Sequence, residues 1–416
     1  MQKKNMHLKM PGTGTTTDVK SSLVGSYQLH RSRLSVLAAV VGIIFVALVV
    51  ALSVSPIVPS IFTNTLTAIR AKGATCEHGQ HRQAESFGRM PTVQLTTVAQ
   101  FPAGYFLENV AVRADGSMLV TALNKKELWY LPAPTTGTPV QPLLLHTFDQ
   151  PPFDIVETTR DVFYVDTTNY LTDHASSLQR VDLRHWEPGM PVPVQPVLKF
   201  PSPVYALNGS DRLSPNVILV ADSGAGLIWR VDLSADGMKG TARVWLRDLS
   251  MKPTLFSLLN KQPGINGLEY AEQSHFLYYT STARRLFMRV RVDPMTLNPA
   301  GAPELVASGH QWDDFAIDEH AGVAYITTHR ENTIERVPLD PHPHSGQVTQ
   351  TVAGIPFDER LIGSSDFAWG RGPEGDGSVA YVTTDGGFTA PPPDGVVRSA
   401  KVLRIKLLDS QEETHA

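Results

Sequence analysis

Carboxylates and amides stand at or near the start of six short apolar segments scattered along the chain. The first three read Leu107-Glu108-Asn109-Val110-Ala111-Val112, Phe153-Asp154-Ile155-Val156 and Val204-Tyr205-Ala206-Leu207-Asn208. They continue as Ile265-Asn266-Gly267-Leu268-Glu269-Tyr270, Trp312-Asp313-Asp314-Phe315-Ala316-Ile317 and Ser365-Asp366-Phe367-Ala368-Trp369. Oxygen-bearing side chains of this kind suit two tasks if they are brought together. They can ligate a hard cation, or they can hydrogen-bond an oxygen that gains charge during a reaction. Other chemistries find little support. No G-x-S-x-G elbow and no H-E-x-x-H helix occurs, which disfavours a serine hydrolase or a zinc protease. Gly370-Arg371-Gly372-Pro373-Glu374-Gly375 matches G-x-G-x-x-G formally, but it contains Pro and precedes a strand, so it reads as a loop. Cys76, His78 and His81 have loosely metal-like spacing but lie ahead of the segments that carry the pattern.

What must bring six distant segments together is a repeat. After each segment an apolar strand runs into Thr, Asp or Ser, as in Met118-Leu119-Val120-Thr121, Phe163-Tyr164-Val165-Asp166 and Tyr381-Val382-Thr383-Thr384. A further strand follows, often of the form x-R-V-D-L, as in Gln179-Arg180-Val181-Asp182-Leu183 and Trp229-Arg230-Val231-Asp232-Leu233. The units recur roughly every 45 to 60 residues, the spacing of propeller blades made of four-stranded sheets. The expected fold is therefore all-β, a six-bladed β-propeller over residues 91–408. The last blade, ending at Leu403–Leu407, lacks its own outer strand, and Val93–Val98 has that character. Supplying it from the other end of the domain closes the ring and removes an exposed edge. The inner strands line the central channel, so their first residues converge at one mouth.

Composition narrows the partners. The 416 residues carry a net charge of −4, and no basic surface argues for nucleic acid. One cysteine excludes an intrachain disulfide. Residues 1–33 read as a polar, disordered cytosolic tail and 409–416 as a disordered C-terminus. Residues 34–54 are almost unbroken Val, Leu, Ala, Ile and Phe, long enough for one membrane helix, whereas a signal-peptide core runs to only about 7–15 residues. Lys3, Lys4, Lys9, Lys20, Arg31 and Arg33 precede it against Asp18 alone. The positive-inside bias then makes 34–54 a signal anchor, 55–90 a stalk, and the propeller lumenal or extracellular. In that compartment the sequon Asn208-Gly209-Ser210 is expected in a loop and open to glycosylation.

The six polar-headed segments resemble those of gluconolactonase and regucalcin-like six-bladed propellers. In that family a Glu, the Asn of an N-G turn and the Asp of a D-G-x-x turn hold a divalent cation at the channel mouth. The resemblance implies Glu108, Asn266 and Asp313 as the catalytic and metal-binding set, with Ca²⁺ as the cation. Asp314 stands where the family has Gly and becomes a fourth candidate ligand. Phe101-Pro102-x-Gly104 running into Leu107–Gly116, Tyr325-Ile326-Thr327-Thr328-His329, and Tyr381–Gly387 are similar to a filamentous-fungal branch of these propellers. That branch serves specialised metabolism and includes hetero-Diels–Alderases. The resemblance implies a ring-forming enzyme acting on a small apolar substrate, with a metal-dependent lactonase as the alternative and a membrane-tethered binding protein as the third reading. A cycloaddition site needs apolar walls and a hydrogen bond to the charged oxygen. Tyr105, Tyr205, Trp312 and Trp369, with Arg113 as a polar anchor, are the expected substrate-binding residues, and Phe106 is expected to line the same mouth. Tyr170, His174, His310 and His329 also fall near strand ends.

The topology is directly checkable. Protease added to sealed microsomes carrying the full chain should remove the N-terminal tail and leave the propeller intact. Digestion of the propeller would reverse the orientation.

Overall fold

In the computed structural model, the residues described are 91–135, 138–202, 204–255, 262–339, 349–355 and 359–408. They form 24 strands in six four-stranded antiparallel sheets. In five sheets the strands follow chain order from the channel to the rim. The sixth is completed by Thr92–Ala103, which pairs with Ser399–Leu408 from Thr92 opposite Leu408 to Ala103 opposite Ser399. An early strand thus covers the edge of the last sheet, as the strand count in the sequence predicts. The tail, the 34–54 segment, the stalk and 409–416 lie outside the described residues. Among the described residues no helix is long and apolar enough to cross a membrane.

Sequence pattern follows position in the sheet. The second strands are flanked by neighbours on both faces, so they are buried throughout and read as continuous apolar runs, as in Met118–Ala122 and Val379–Thr384. The rim strand Thr92–Ala103 instead alternates exposed and half-buried residues along its first half. On the third strands, the Arg and Asp of x-R-V-D-L stand two residues apart and share a face. Arg180 accordingly meets Asp182 at 2.8 Å, and Arg230 meets Asp232 at 2.8 Å. The core comprises six apolar clusters, each filling the wedge between neighbouring blades. The wedge between the last blade and the first joins Leu107, Met118 and Val120 to Val379, Tyr381 and Val402.

One irregularity recurs around the ring. The inner strands Leu107–Val112, Pro152–Thr159, Leu207–Ser214, Ile265–Ala271 and Ser364–Trp369 each shift register against the second strand near their start. Two inner residues there oppose one partner residue, which is a β-bulge. In the remaining blade Asp313 and Asp314 share Thr327 in the same way, through Asp313 N–H to Thr327 O and Thr327 N–H to Asp314 O at 2.9 Å each. The partner residue is Thr121, Thr280, Thr327 or Thr383 in four blades. Each of these hydroxyls donates to the next blade's inner strand: to Phe153 O at 2.9 Å, Asp313 O at 2.7 Å, Ser365 O at 2.9 Å and Glu108 O at 3.2 Å. These threonines fasten blade to blade.

The consequence is measurable at Thr280, which is fully buried and also accepts from Gly267 N–H at 3.0 Å. Thr280→Val keeps the shape and leaves the Asp313 carbonyl and the Gly267 N–H unpaired. We expect a loss of about 1–3 kcal/mol in urea unfolding with an unchanged m-value. An unchanged midpoint would show that these bridges do not hold the ring.

Candidate functional site

The bulges decide which side chains meet. The first bulged residue of each blade is Glu108, Phe153, Asn208, Asn266, Asp313 or Ser365, and all six border one small space at the narrow end of the channel. Asp154 and Asp314, from second bulge positions, complete it with Asn109. The three residues assigned to a metal from the sequence, and Asp314 as a fourth, do come together. Asn266 is buried and donates its amide hydrogens to Asp313 and, at 2.9 Å, to Thr282 Oγ1. Asp314 accepts from Phe315 N–H at 2.9 Å. Its side chain lies across Gly267, where a Cβ would sit 2.2 Å from Asp314 Oδ1. The Asp that replaces the expected Gly after Asp313 therefore fits because the facing blade carries a glycine.

The sequon is corrected by this geometry. Asn208 lies within an inner strand, not a loop, and is only 8% exposed on the wall of the same space. An oligosaccharide there would have to fill the hub, so Asn208 belongs to the candidate site and not to the glycosylated surface. A signal was present: Asn208-Gly209 and Asn266-Gly267 are the same pair in consecutive blades. The two glycines allow the strands to touch, since a Cβ on Gly209 would meet Asn266 O at 2.5 Å.

Four of the five expected substrate-binding residues lie elsewhere. Trp312 has no exposed surface and sits in an apolar wedge between blades. Trp369 and Arg113 lie at the other ends of inner segments, at the far mouth of the channel. A strand rises about 3.3 Å per residue, so five positions separate Arg113 from Glu108 by roughly 15 Å. Arg113 is there held by Asp161 at 2.9 Å. Trp369 donates to Ile317 O at 3.0 Å. Tyr105 packs outward on Phe101 and Trp129, with centroids at 5.5 and 6.4 Å. Tyr205 alone is open, 46% exposed, with His174 Nδ1 3.0 Å from its carbonyl oxygen. His310 is tied to Glu331 at 2.7 Å. Two other aromatics that the sequence also places near the mouth lie by the narrow end: Tyr170, edge-on to Phe153 at 5.5 Å, and Phe106, stacked on His329 at 5.4 Å.

Electrostatics set this space apart. Burial, then repulsion from Asp313, Asp314, Asp154 and Asp385, pushes the Glu108 carboxyl well above its ordinary range. Burial likewise raises Asp313 to about 6, against the opposing pull of His329 and the Asn266 amide. Glu108 Oε2 is buried and has no hydrogen-bond partner. His329 Nε2 lies 3.1 Å from Asp385 Oδ2. Burial works against the charged imidazole, but Asp385 and Asp313 outweigh it and hold His329 above its usual value. Burial pushes Asp385 up, yet His329 and the N–H groups of Thr389 and Gly387 leave it below the carboxylate range. This His–Asp pair is the feature of the candidate site that sequence reasoning left unassembled, because 56 residues separate its members.

The donor set fits a hard cation in kind. It is all oxygen, it includes an unpartnered buried carboxylate atom, and its carboxylates repel one another. Its geometry is closed. The space leaves no room for a water molecule, and among the described residues no three His, Cys, Asp or Glu side chains gather closely enough to enclose an ion.

No protein-family model and no curated protein matches this sequence. Solved structures do share the fold. A luciferin-regenerating enzyme superposes with a TM-score of 0.54 at 12% identity, covering 76% of this chain and 95% of its own. A PQQ-bound aldose sugar dehydrogenase from Streptomyces coelicolor gives 0.51 at 12%, covering 76% and 100%. Regucalcin from Agrobacterium tumefaciens, described as a calcium-binding protein, gives 0.50 at 15%, covering 74% and 95%. The chain thus has the six-bladed propeller fold shared with regucalcin-like proteins.

A pH test follows from Asp313. Its carboxyl is raised in the folded chain, so the stability it contributes is complete below pH 4 and is lost as pH rises through about 6. In chelator, the melting temperature should fall between about pH 4 and 6, and Asp313→Asn should flatten that slope. An equal slope in the variant would remove Asp313 as its source.

Proposed function

We propose that the narrow end of the channel is the active site of a divalent-cation-dependent hydrolase that opens a lactone or a related ester. The observation that carries this reading is the buried, unpartnered Glu108 Oε2 among Asp313, Asn266 and Asn208. Regucalcin, described as calcium-binding, supports Ca²⁺ as the cation by likeness of fold alone. Glu108, Asn208, Asn266 and Asp313 would hold the cation, with Asp314 beside them. When bound, the cation supplies a positive charge that polarises the ester carbonyl. The protein's own groups do the rest. Asp385 fixes His329 through Nε2, so the proton that His329 exchanges is the one at Nδ1. A raised imidazole value keeps that proton available near neutrality. Phe106 and Tyr170 offer aromatic surface beside the site against which a small organic ring could stack. The one water that hydrolysis consumes would enter with the substrate, adding its oxygen to the carbonyl carbon and its protons to the acid and the leaving alcohol.

That aromatic surface also sustains a second reading, ring formation of the hetero-Diels–Alder type, in which these residues hold two apolar partners in a reactive pose. The hub beside it favours hydrolysis, because most of the aromatic residues expected to line a cycloaddition site point elsewhere.

The two readings separate in one experiment. A panel of γ- and δ-lactones and aryl esters is assayed with Ca²⁺ and after chelation. Hydrolysis should require the cation, and Glu108→Gln and Asp313→Ala should each lower kcat/KM by at least about 100-fold. His329→Gln should lower kcat and remove the limb of the pH–rate profile that reports its ionisation. Ca²⁺ should also raise the melting temperature of the parent by mass action. No hydrolysis and no thermal shift would sink this reading and leave ring formation, for which metabolite profiling of a gene deletion is the assay.

A further inference from the structure

One backbone hydrogen bond recurs near the narrow end in five blades. Its donor stands two positions past the bulge partner, where the second strand turns towards the third. Its acceptor is the carbonyl two positions before the first bulged residue of the same blade. The bonds run from Leu123 to Phe106 at 2.9 Å, Thr168 to Pro151 at 3.0 Å and Ser223 to Ala206 at 2.8 Å. They continue from Thr282 to Gly264 at 3.0 Å and from Asp385 to Gly363 at 2.8 Å. Each rung fixes a hairpin against the entry loop that leads into its own inner strand. The fifth blade is the exception. The equivalent rung would join His329 N–H to Gln311 O, and among the described residues that bond is not made.

Side chains replace it. Glu331, in the same hairpin, accepts from Gln311 N–H at 3.0 Å through one oxygen and meets His310 Nδ1 at 2.7 Å through the other. His310 Nε2 lies 3.1 Å from Thr349 Oγ1 and 3.9 Å from Glu335 Oε2. Glu335 is buried, its Oε1 accepts from the Thr333 and Thr351 hydroxyls at 2.7 and 2.8 Å, and its Oε2 has no hydrogen bond. A charged imidazole between Glu331 and Glu335 answers that buried carboxylate. The Glu331 bond raises His310 against the effect of burial, with Glu335 assisting and Arg285, from the fourth blade's hairpin, opposing. The link from Glu331 to the entry loop is therefore charge-assisted. It is also close to the hub at both ends: Gln311 stands two residues before Asp313, and Glu331 two residues after His329.

We propose that Glu331, braced by His310, is the positioning residue of His329, a role that rests on His329 being the proton-exchanging group of the hydrolase. Glu331 does not border the hub space and acts only through its hairpin. It holds the hairpin that carries His329 against the loop that delivers Asp313, so the base and the cation ligand keep one separation. A backbone rung does this in the other five blades, where side-chain substitution cannot remove it. Under His329 the rung is a carboxylate. Loss of its charge frees the hairpin from the entry loop, and His329 then leaves Asp385 more often.

The test is proton exchange at His329 Nε2, read by NMR on the full chain with isotope-labelled histidine; the resonance is the one that His329→Gln removes. In the parent, Asp385 should hold that proton against solvent. Glu331→Gln and His310→Gln should each speed exchange at least about tenfold while the chain keeps its cooperative unfolding transition. The double variant should exchange no faster than either single one, because the two residues act as a unit. Thr121→Val, which removes a blade-to-blade bond across the ring, should leave exchange unchanged. In the ester assay Glu331→Gln should lower kcat about tenfold with KM unaltered. Exchange needs no substrate, so a chain that hydrolyses nothing still tests the clamp. Unchanged exchange in both folded variants overturns the inference. Equal acceleration in Thr121→Val overturns it too, since that would be general loosening of the ring. If one single variant does not fold, the other decides.

Discussion

Six sheets that meet around a hole present six inner edges to it, and every such edge carries backbone N–H groups with no ladder partner. Water in a narrow channel satisfies them poorly, and an unpaired buried N–H costs on the order of a hydrogen bond. The chain answers with side chains from the neighbouring blade. Carboxylates of one blade accept the free N–H groups of the next, and threonine hydroxyls donate to the next blade's carbonyls. Closure of the ring and the polarity of its centre are therefore one requirement.

That requirement bears on how the central acids are interpreted. A carboxylate in this channel has a structural task before it has any chemical one, and Asp366, with both oxygens on backbone N–H groups, is fully accounted for. Groups whose bonding is incomplete are the informative ones. Glu108 leaves an oxygen unpartnered next to other acids. Asp166 occupies the bulge-partner position that holds Thr in four blades, and neither of its oxygens finds a hydrogen bond. Burial and then Asp154 hold its carboxyl well above the ordinary range, which favours the neutral acid in a place where other blades use a hydroxyl. Asp166 thus takes the place of Thr without making its blade-to-blade bond, whereas Glu108, also a buried acid, is the group on which the proposed cation site rests.

The blade repeat, the closing strand and the convergence of Glu108, Asn266 and Asp313 were legible because each rests on local pattern. Strand period, repeat spacing and the polar start of each inner segment can all be counted along the chain. Phe106 was expected at the mouth, but most of the aromatic assignment was not legible, because an inner strand carries its first residue to one mouth and its last to the other. Trp312 and Trp369 both end up away from the narrow mouth for that reason: one precedes a strand and turns into a wedge, the other closes a strand at the far end. Asn208 was hidden by a motif with a stronger surface meaning. The N-G step it shares with Asn266 marks the bulge, and the bulge decides which side chains face the hub.

Asp314, standing where the resemblance led a Gly to be expected, shows how far this arrangement constrains chemistry. An added carboxylate beside Asp313 raises the repulsion at the narrow end, and Asp314 is itself pushed up by burial and then by Asp366. The chain accommodates the atoms over Gly267 but not the charge, since no Lys or Arg among the described residues pairs with it. Only protons or a cation can balance such a cluster near neutrality. Burial and mutual repulsion raise Glu108, Asp154, Asp313 and Asp314 together, which favours their protonated forms while the space stays closed. Binding a divalent cation would then release protons and part the carboxylates, so occupancy of the narrow end couples charge, hydration and opening of the hub in one equilibrium.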